Sequence, residues 1–518
     1  MKVTLISPYI NIAALGLRFL SSYLKAEGHS TRIVFLSDVG SMAETGADFH
    51  GTYSDRAFDQ LVELCSDSDL IGITLMTNYF YKVADLSRRL RARLSVPIVW
   101  GGSHPTAAPE ECLDFADLVC VGEGERSMLD VLERLRREQG LEGIPNMWVK
   151  GSDRPSPESY YPPVQDLDAL PFPDYHLEEH YILLGDRIVG MSEDILRAFS
   201  TSTGYFDSRH ETIYQSIASR GCPHHCAFCI NSRYLELYGQ KAFFRRRSME
   251  NVVREFETVL ERFEWFNGLV LHDDCFTAAS PEELREFERL YTDRVGLPLF
   301  FLLSSTTMDE ARMKPLIEAG LQKIQVGLQS ASDRTNRLYD REYFSPRKLL
   351  ERARKLQEYS DHTSLIIYDI MLDSPFEDVD SMLQTLRLVI DLPRPKQLQL
   401  YSLTLYPGTP LRDLALQRGM IDDPRIHYLK ENHERQLRYI NLLFTLVNKG
   451  VPDRLVRWLA WTPLVHLMES RPFRWLFGLF SPLYNRLLRS LSRRVFATSY
   501  SRILKLAKHS EGPPSKAS

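Results

Sequence analysis

Two stretches of this chain alternate apolar strand segments with amphipathic helices, and this alternation constrains the fold more than any other feature. In the first stretch, residues 1–145, the run Leu70–Leu75 (LIGITL) is continuously apolar. A strand without polar alternation is typical of the centre of a parallel sheet that is covered on both faces. The neighbouring strand and helix segments predict a doubly wound, Rossmann-like parallel sheet.

The second stretch, residues 213–420, predicts a partial or full βα (TIM-like) barrel. Its six candidate strands are residues 213–218, 268–272, 299–304, 323–327, 365–371 and 397–401. Between the two stretches, proline-rich residues 146–212 are predicted to be a linker with an insertion. Residues 421–518 read as a helical C-terminal region. The predicted class is therefore α/β, and 518 residues suit about three domains.

Polar or glycine-rich loops follow the predicted strands of the first stretch. They are residues 74–79, 101–106 and 122–125. Ligands of doubly wound sheets bind at the carboxyl ends of the strands, and glycine lets a bulky ligand approach the backbone. Turn formation explains these glycines equally well.

Three cysteines are the candidate metal ligands of the second stretch. Cys222, Cys226 and Cys229 lie in one short loop directly after its first predicted strand. A cluster of four irons normally takes four cysteines, so three thiolates leave one iron open to a substrate or cofactor.

A structural zinc site is the alternative, because His210, His224 and His225 lie near or inside the loop. Seven cysteines at irregular spacing argue against a disulfide framework. Four of them are expected to be small core residues rather than ligands. These are Cys65, Cys112, Cys120 and Cys275.

Composition excludes some function classes. A hydrophobic content of 44% and a charged content of 25% are those of an ordinary globular protein. The net charge of −5 gives no global nucleic-acid signature. No apolar run reaches the length of a membrane span. We therefore expect a cytoplasmic protein, in a compartment that keeps thiolates reduced.

The triplet, with the aromatic Phe228 before its last cysteine, resembles the radical S-adenosylmethionine superfamily. Further segments resemble that family in the same order along the chain. They are residues 273–276 (DDCF), 327–330 (GLQS), 373–378 (DSPFED) and 406–410 (YPGTP). Gln329 stands where the family more often has glutamate, and DSPFED departs from the usual G-x-P-G-E-T.

The resemblance implies that Cys222, Cys226 and Cys229 hold a [4Fe–4S] cluster whose open iron binds S-adenosylmethionine. One electron then yields a 5′-deoxyadenosyl radical, which takes hydrogen from an unactivated carbon. Candidate S-adenosylmethionine-binding residues are Phe228, Asp273, Asp274, Ser304, Ser305, Gln329 and Pro407. A solvated strand end or a helix N-cap is the alternative for the two aspartates. Serine and glutamine are also common at strand ends.

The first stretch resembles the cobalamin-binding domain that is fused to one subset of this superfamily, the cobalamin-dependent methyltransferases and the anaerobic porphyrin cyclase. Residues 8–29, 100–111 and 117–125 carry the likeness, and DLDALPFPDY resembles the linker that follows it. The chain lacks D-x-H-x-x-G, so the resemblance implies cobalamin without a histidine ligand. Residues 76–79 are candidates for the lower face of cobalt. Candidate cobalamin-binding residues are Thr74, Met76, Thr77, Asn78, Gly101, Gly102, His104, Gly122, Glu123 and Gly124. His104 could equally be a loop residue that orients Pro105.

The C-terminal region is basic and aromatic. Between Asp453 and Lys508 it carries eleven Lys and Arg residues against two acidic ones. Three interpretations remain open: a helical lid or substrate-contact region that packs on the barrel, a peripheral contact at the inner face of the membrane, or a nucleic-acid surface. Nucleic acid is the least favoured partner, since no RNA-binding appendage is evident.

The main functional hypothesis is cobalamin-dependent C-methylation of a small-molecule substrate, such as a natural product, a lipid or a tetrapyrrole. A flavodoxin or ferredoxin is the implied electron donor. A radical enzyme of the same architecture that cyclises, oxygenates or rearranges its substrate is the second hypothesis. A non-catalytic cobalamin or metal sensor, with zinc at the triplet, is the third.

Overall fold

Two parallel sheets, each flanked by helices, form the protein. The computed structural model describes residues 1–37, 52–202, 211–359, 365–421, 423, 425, 428 and 435–480. The sheets follow one another along the chain, and each corresponds to one of the two stretches of strand–helix alternation. The predicted α/β class is confirmed.

The first sheet has eight strands in the order β6-β5-β4-β3-β1-β2-β7-β8. Its strands are β1 Lys2–Ser7, β2 Ser30–Phe35, β3 Leu70–Thr74, β4 Ile98–Gly101, β5 Leu118–Cys120, β6 Met147–Val149, β7 His180–Leu184 and β8 Arg187–Gly190. The strands from β5 to β7 in that order are mutually parallel, and β6 and β8 are antiparallel edges. Buried side chains on both faces explain the continuous apolar run in β3.

The segment predicted to be a linker contributes three of these strands. β6, β7 and β8 all lie within residues 146–212, so the first sheet extends to Gly190. Every residue of β7 is buried. The prolines that suggested a linker lie between β6 and β7, where the chain crosses from one edge of the sheet to the other.

Asp174, in this crossing segment, is anchored beneath the first sheet. Its carboxylate accepts hydrogen bonds from Ser21 Oγ at 2.6 Å and Lys25 Nζ at 2.7 Å. The buried Arg18 donates to the Asp174 carbonyl oxygen at 2.5 Å. Burial alone would raise the pKa of Asp174, but His180, Lys25 and Ser21 hold it well below its usual range. The crossing segment is therefore part of the folded domain.

The second sheet is an open, partial barrel in the order β17-β16-β15-β14-β13-β10-β9. Its strands are β9 Thr201–Ser202, β10 Glu211–Ser216, β13 Gly268–Leu271, β14 Leu299–Ser304, β15 Leu321–Gln329, β16 Leu365–Leu372 and β17 Lys396–Ser402. The six strands from β10 to β17 are parallel, while β9 is antiparallel to β10. Two short strands, β11 Ser219–Arg220 and β12 Arg245–Arg246, form a separate antiparallel pair.

Helices connect the strands and cover the sheets. The α-helices span Leu15–Ala26, Asp55–Cys65, Phe80–Arg91, Ser103–Ala107, Pro109–Cys112, Glu125–Arg136, Glu193–Ser200, Asn231–Tyr238, Gln240–Phe243, Met249–Arg262, Pro281–Arg294, Glu310–Glu318, Asp333–Leu338, Pro346–Leu356, Val379–Asp391, Pro410–Gln417, Tyr439–Asn448, Asp453–Leu459 and Thr462–Met468. Residues 471–480 are also helical. Within the described ranges, no helix is long and apolar enough to cross a membrane.

The C-terminal helices pack on the outside of the barrel. Tyr439–Asn448, Asp453–Leu459 and Thr462–Met468 all contact the barrel helix Val379–Asp391. Val456 and Val465 are buried in this contact, whereas the tryptophans of the region are exposed. The described part of the region is therefore largely helical from Tyr439 onward, as predicted, but Trp458, Trp461 and Trp475 do not pack against the barrel. The remaining basic residues, from Arg486 onward, lie outside the described residues.

We expect Asp174→Asn to lower the free energy of unfolding by about 3–5 kcal/mol at pH 7, because it leaves the buried Ser21 hydroxyl and the half-buried Lys25 ammonium without their anion. A depressed pKa contributes stability above the unfolded value near 4, so the full effect is present at pH 7 and fades at acid pH. The measurement is the urea midpoint of the variant.

Asp186→Asn is the matched control. Asp186 pairs with Arg56 at 3.2 Å, and both side chains are exposed. Its loss should change the free energy of unfolding by less than about 1 kcal/mol. Equal effects of the two variants would show that the Asp174 network does not anchor the segment.

Candidate functional site

A cavity of about 400 Å³ lies between the carboxyl ends of the two sheets. The wall from the first sheet includes Thr74, Gly101, Gly102, Gly122, Glu123 and Gly124. The wall from the second sheet includes Gly221, Asn231, Tyr234, Tyr238, His272 and Asp274. Ligands of both sheet types bind at strand carboxyl ends. This cavity is therefore the candidate functional site.

The cysteine loop begins beside this cavity, directly after β11. Gly221 precedes it with a φ of 87°, and a Cβ there would collide with the carbonyl oxygen of Phe243. Ala227 holds the loop to the barrel, because its N–H donates to Tyr339 O at 3.0 Å and its carbonyl accepts from Leu411 N at 2.9 Å. The ring of Phe228 meets that of Tyr339 edge-on at 5.2 Å. The loop is thus held in place by backbone bonds on both sides of Ala227.

The thiols of the cysteine loop lie close enough together to affect one another's pKa. Burial raises the pKa of Cys229 to about 12, and Asp274 and Cys226 act in the same direction. Burial also raises the pKa of Cys222, with further contributions from Asp274, Cys275 and Cys229. Cys226 Sγ lies 3.2 Å from the hydroxyl of Tyr343. Such thiols become ligands only when a bound metal displaces their protons.

The two candidate aspartates after β13 differ in burial and in hydrogen-bond partners. Asp273 is buried, and its carboxylate accepts from Ala218 N at 2.9 Å and from the Ser219 hydroxyl. Burial raises its pKa to about 6. Asp274 is open to the cavity, yet the protein around it raises its pKa. The structure therefore places Asp274 at the site and gives Asp273 a structural role at the base of the cysteine loop.

The other candidates for S-adenosylmethionine lie at the ends of barrel strands, outside the cavity wall. Ser304 Oγ is 3.0 Å from His224 Nε2, and Ser305 is buried. Gln329 ends β15 at a φ of 65°, and its Oε1 is buried without a hydrogen-bond partner. Pro407 is buried in the turn before Gly408. The unsatisfied oxygen makes Gln329 the strongest of these candidates.

Six of the ten cobalamin candidates line the cavity: Thr74, Gly101, Gly102, Gly122, Glu123 and Gly124. At Gly102 (φ 107°) a Cβ would lie 2.9 Å from both Leu75 O and Thr74 Oγ1, and at Gly122 (φ 84°) it would collide with the Tyr238 hydroxyl. Met76, Thr77 and Asn78 are not among the residues that line it. They belong to the turn after β3, where Met76 is exposed and Thr77 buried.

His104 lies in the core rather than at the cavity. Its ring is buried, with Nδ1 3.2 Å from Thr77 Oγ1 and Nε2 3.4 Å from Glu111 Oε1. The ring of Tyr428 meets it edge-on at 5.3 Å. Burial lowers the pKa of His104 to about 3, so it is neutral at pH 7. This placement favours a structural role for His104 in its loop over a contact with cobalamin.

Sequence reasoning missed an ion cluster that joins the two walls. We call it the interdomain ion cluster: Glu123 and Glu125 from the first domain with Arg220 and Arg245 from β11 and β12. Arg220 lies 2.7 Å from Glu125 and 3.4 Å from Glu123, and Arg245 lies 2.7 Å from Glu123. Burial opposes ionisation of Glu123, but Arg220 and Arg245 hold its pKa below the usual value. The cluster ties the strand ends of the first sheet to the start of the cysteine loop.

A second link between the domains ends at His272, which was also missed. Gln215 Oε1 accepts from Asn11 Nδ2 at 2.9 Å and lies 2.7 Å from His272 Nε2. Burial lowers the pKa of His272 to about 4, so a neutral imidazole lines the cavity at pH 7. Tyr238 was missed as well, although its hydroxyl accepts from Glu123 N at 2.7 Å. The sequence signal that could have identified His272 is its position directly after strand β13, at the carboxyl end of a barrel strand.

The residues at the site fit two cofactors. Three neighbouring thiols are the soft donor set that iron–sulfur clusters take. Among the residues that the structure describes, no three His, Cys, Asp or Glu side chains converge on a site for a single metal ion. The glycines of the opposite wall expose backbone toward the cavity, as a broad ring system such as cobalamin requires.

Comparison with protein families agrees with this division. A model described as the radical SAM superfamily matches residues 216–386, which include the cysteine loop. A model described as a B12 binding domain matches residues 1–132, which include the glycine wall.

Similar proteins were found by sequence and by structure. The chain is 25% identical over 419 residues to an uncharacterized methyltransferase of Pyrococcus horikoshii, covering 79% of each chain. It is 23% identical over 392 residues to bacteriochlorophyllide d C-8(2)-methyltransferase of Chlorobaculum tepidum, covering 73% of this chain and 75% of that one. The radical S-adenosylmethionine methyltransferase TsrM of Kitasatospora setae shares the fold, with a TM-score of 0.61, 16% identity and coverage of 80% and 76%.

We expect Gly122→Ala to weaken hydroxocobalamin binding by about tenfold or more, equivalent to roughly 1.4 kcal/mol. The new Cβ would displace Tyr238 from the cavity wall and strain a residue with a φ of 84°. Equilibrium dialysis with absorbance detection measures the dissociation constant.

Gly143→Ala is the matched control, because Gly143 has a φ of 77° and nothing within 4 Å of the position of a Cβ. It imposes the same backbone strain without touching the cavity, so cobalamin binding should be unchanged. Equal losses in both variants would show that strain, rather than the cavity wall, controls binding.

Proposed function

Because the chain belongs to the radical S-adenosylmethionine superfamily and carries a B12-binding domain, we propose that it is a cobalamin-dependent radical methyltransferase acting on an unactivated carbon of a small molecule. It is an enzyme with a [4Fe–4S] cluster, S-adenosylmethionine and cobalamin as cofactors. The proposed domains are residues 1–145 for cobalamin, whose sheet continues with three strands into the connecting segment 146–212, then residues 213–420 for the radical barrel and 421–518 as a helical appendage.

The observation that carries this proposal is the single cavity shared by both domains. The glycine wall for cobalamin and the residues that flank the cysteine loop face the same cavity. A group transferred between two cofactors needs a short path between them. The shared cavity supports this requirement.

In this proposal each wall of the cavity has its own task. Cys222, Cys226 and Cys229 hold the cluster, and Asp274 receives the amino group of S-adenosylmethionine. Gly102 and Gly122 allow the corrin ring to approach the backbone. When bound, the cluster supplies single electrons and cobalamin carries the methyl group. The interdomain ion cluster keeps the two walls in register.

The relatives support methyl transfer to a small molecule. Two carry the name methyltransferase, one of them for a bacteriochlorophyllide, and TsrM has been solved with tryptophan as substrate. TsrM has also been solved with cobalamin and a [4Fe–4S] cluster bound. We propose a flavodoxin or ferredoxin as electron donor, because thiolate-ligated clusters reach low potentials.

The test is anaerobic reconstitution with iron, sulfide and hydroxocobalamin, followed by incubation with a low-potential reductant and S-adenosylmethionine that carries a deuterated methyl group. With substrate, we expect 5′-deoxyadenosine and S-adenosylhomocysteine in about equal amounts, and a labelled product. Cys229→Ser should lose most cluster iron and slow 5′-deoxyadenosine formation more than about 100-fold, since outer partners of metal sites alone cost 10–100-fold.

Cys112→Ser is the control for this test. Its sulfur donates to Ala108 O at 3.2 Å, a bond that a serine hydroxyl can keep, and the residue is buried in the first domain. Iron content and rate should be unchanged. Formation of 5′-deoxyadenosine without S-adenosylhomocysteine would support a cyclising, oxygenating or rearranging enzyme instead, and zinc without iron would support a sensor.

We further propose peripheral membrane contact through the C-terminal helices. Trp458, Trp461 and Trp475 are 69%, 64% and 69% exposed, and Leu479 and Phe480 are more than half exposed. Single domains rarely expose large apolar side chains together, and interleaved arginines are typical of helices at a bilayer surface. Part of this basic segment, residues 481–508, lies outside the described residues.

We expect the full chain to co-sediment with vesicles that contain anionic lipid, and binding to weaken at high salt. Replacing Trp458, Trp461 and Trp475 by alanine should reduce the bound fraction at least about fivefold, because these side chains supply the apolar contact. Leu416→Ala with Met420→Ala, which removes exposed apolar groups elsewhere, is the control. No sedimentation of the wild-type chain would exclude the contact.

A further inference from the structure

The turn that follows the barrel helix Asp333–Leu338 packs against the cysteine loop at two points. At the first, Ala227 N donates a hydrogen bond to Tyr339 O at 3.0 Å. At the second, the hydroxyl of Tyr343 lies 3.2 Å from Cys226 Sγ. Cys226 is the middle one of the three proposed cluster ligands. The second contact therefore joins a polar side chain of the barrel to a sulfur of the proposed cluster site.

Two neighbours fix the ring of Tyr343. It stacks on the ring of His224, with the centroids 4.2 Å apart and an interplanar angle of 15°. His224 is itself attached to the end of β14, because its Nε2 lies 3.0 Å from Ser304 Oγ. The guanidinium carbon of Arg341 lies 5.7 Å from the centroid of the Tyr343 ring. The contact with Cys226 is thus made by a side chain that the fold holds in place.

Arg341 determines the direction in which the Tyr343 hydroxyl can donate. The buried guanidinium is anchored to β15, where it donates to Gly327 O at 2.8 Å and Leu328 O at 3.0 Å. Its Nε–H also donates to the Tyr343 hydroxyl oxygen at 3.2 Å. Because arginine has only donors, the hydroxyl oxygen accepts in this bond and keeps its own proton for another acceptor. The neighbouring Cys226 Sγ is that acceptor.

Cluster binding fixes this direction. A thiol loses its proton when it binds iron, and the resulting thiolate sulfur has no proton to donate. The contact between Tyr343 and Cys226 then becomes an O–H···S hydrogen bond, from a phenol to a negatively charged sulfur. Hydrogen bonds in which one partner is charged are roughly twice as strong as those between neutral groups.

The other two sulfurs of the cysteine loop have main-chain partners. The backbone of His224 is hydrogen-bonded to Cys222, and the backbone of Asn231 to Cys229. Such bonds do not depend on which side chain the donor residue carries. Within the described parts of the chain, Tyr343 is the side-chain hydroxyl that reaches a sulfur of this loop. Its hydrogen bond is therefore the one that a substitution can remove.

We propose that the Tyr343 hydroxyl raises the reduction potential of the [4Fe–4S] cluster by donating a hydrogen bond to Cys226 Sγ. Reduction transfers one electron from the flavodoxin or ferredoxin and converts [4Fe–4S]²⁺ to [4Fe–4S]⁺, while no bond breaks and no proton moves. The cluster and its thiolates become more negative by one charge, so a fixed donor stabilises the reduced state more than the oxidised one. The inference rests on the proposed function, since it takes Cys226 as a cluster ligand.

Tyr343 acts through Cys226 and is therefore a positioning residue rather than a catalytic one. With its hydroxyl in place, a donor of given potential reduces a larger fraction of the enzyme. The same hydrogen bond opposes release of the electron to S-adenosylmethionine, because it stabilises the reduced cluster. Tyr343 thus sets the balance between loading and release of the electron.

The test is Tyr343→Phe in the holoenzyme reconstituted with iron, sulfide and hydroxocobalamin. The phenyl ring can keep the stacking on His224, so the variant removes the hydroxyl alone. A redox titration followed by the electron paramagnetic resonance of the reduced cluster gives the midpoint potential. We expect a lower potential: at the wild-type midpoint, the ratio of reduced to oxidised cluster should fall about tenfold, equivalent to about 59 mV for one electron.

Tyr291→Phe is the matched control. Tyr291 is buried in the barrel, and its hydroxyl donates to Leu297 O at 2.8 Å, just before β14 and at the amino ends of the barrel strands. This variant also loses a barrel hydroxyl and its hydrogen bond, but the cysteine loop lies at the opposite ends of the strands. Its potential should be unchanged. Equal shifts in both variants would show that the potential follows a general weakening of the barrel and would overturn the inference.

A spectroscopic measurement tests the hydrogen bond itself. After exchange into D₂O, electron–nuclear double resonance of the reduced cluster should show a coupled deuteron in the wild-type protein that Tyr343→Phe lacks. Identical deuteron spectra would overturn the inference, as would an unchanged or higher potential in Tyr343→Phe. Loss of cluster iron from this variant would assign Tyr343 to holding the cysteine loop, which also overturns it.

The outcome is distinguishable from a failure of the proposed function, because the potential is measured without S-adenosylmethionine or substrate. A lower potential in Tyr343→Phe, with no S-adenosylhomocysteine formed by the wild-type enzyme, would reject methyl transfer and keep the inference. Methyl transfer by the wild-type enzyme, with equal potentials in the two proteins, would reject the inference and keep the function.

Discussion

The interdomain ion cluster is the interaction on which the candidate site depends. Arg220 stands two residues before Cys222 and is paired with Glu123 and Glu125, which follow β5. Removing one partner of a buried, hydrogen-bonded ion pair typically costs about 3–5 kcal/mol, because the other charge remains buried. The pairing is also directional, since each guanidinium has a fixed fork of donors. The start of the cysteine loop and the glycine wall are therefore located by the same four side chains.

The hydrogen-bond partners of the protein's carboxyl groups distinguish residues that stabilise the fold from a candidate binding residue. Asp174 and Asp273 have donors from several elements and hold segments in place. Asp274, by contrast, is open to the cavity. Because the surrounding protein raises the pKa of Asp274 without holding its carboxyl group in a network, Asp274 is the carboxyl group that we propose for ligand binding.

Much of the fold was predictable because periodicity and strand-end glycine are local signals. The βα alternation predicted both sheets, and the cysteine loop was expected just after the first barrel strand. The strands β6 to β8 were missed, since they are short and the prolines near them indicate extended chain. Asp273 and Asp274 have different roles because their side chains point in different directions. Asp273 accepts hydrogen bonds from Ala218 and Ser219, which are distant in sequence, so the sequence could not distinguish the two aspartates. Arg245 pairs with a residue 122 positions away, so no local pattern could identify it.

Gly408 has a consequence for the whole architecture. It follows Pro407 with a φ of 68°, and a Cβ there would lie 2.9 Å from the carbonyl oxygen of Ala107 in the first domain. The two domains thus meet here through main-chain atoms, which keep the same dimensions whatever side chains surround them. The distance between the glycine wall and the carboxyl ends of the barrel strands is consequently fixed in part by covalent geometry. Substitutions that change side chains of the cavity can accumulate around this contact while the distance between its two walls stays constant.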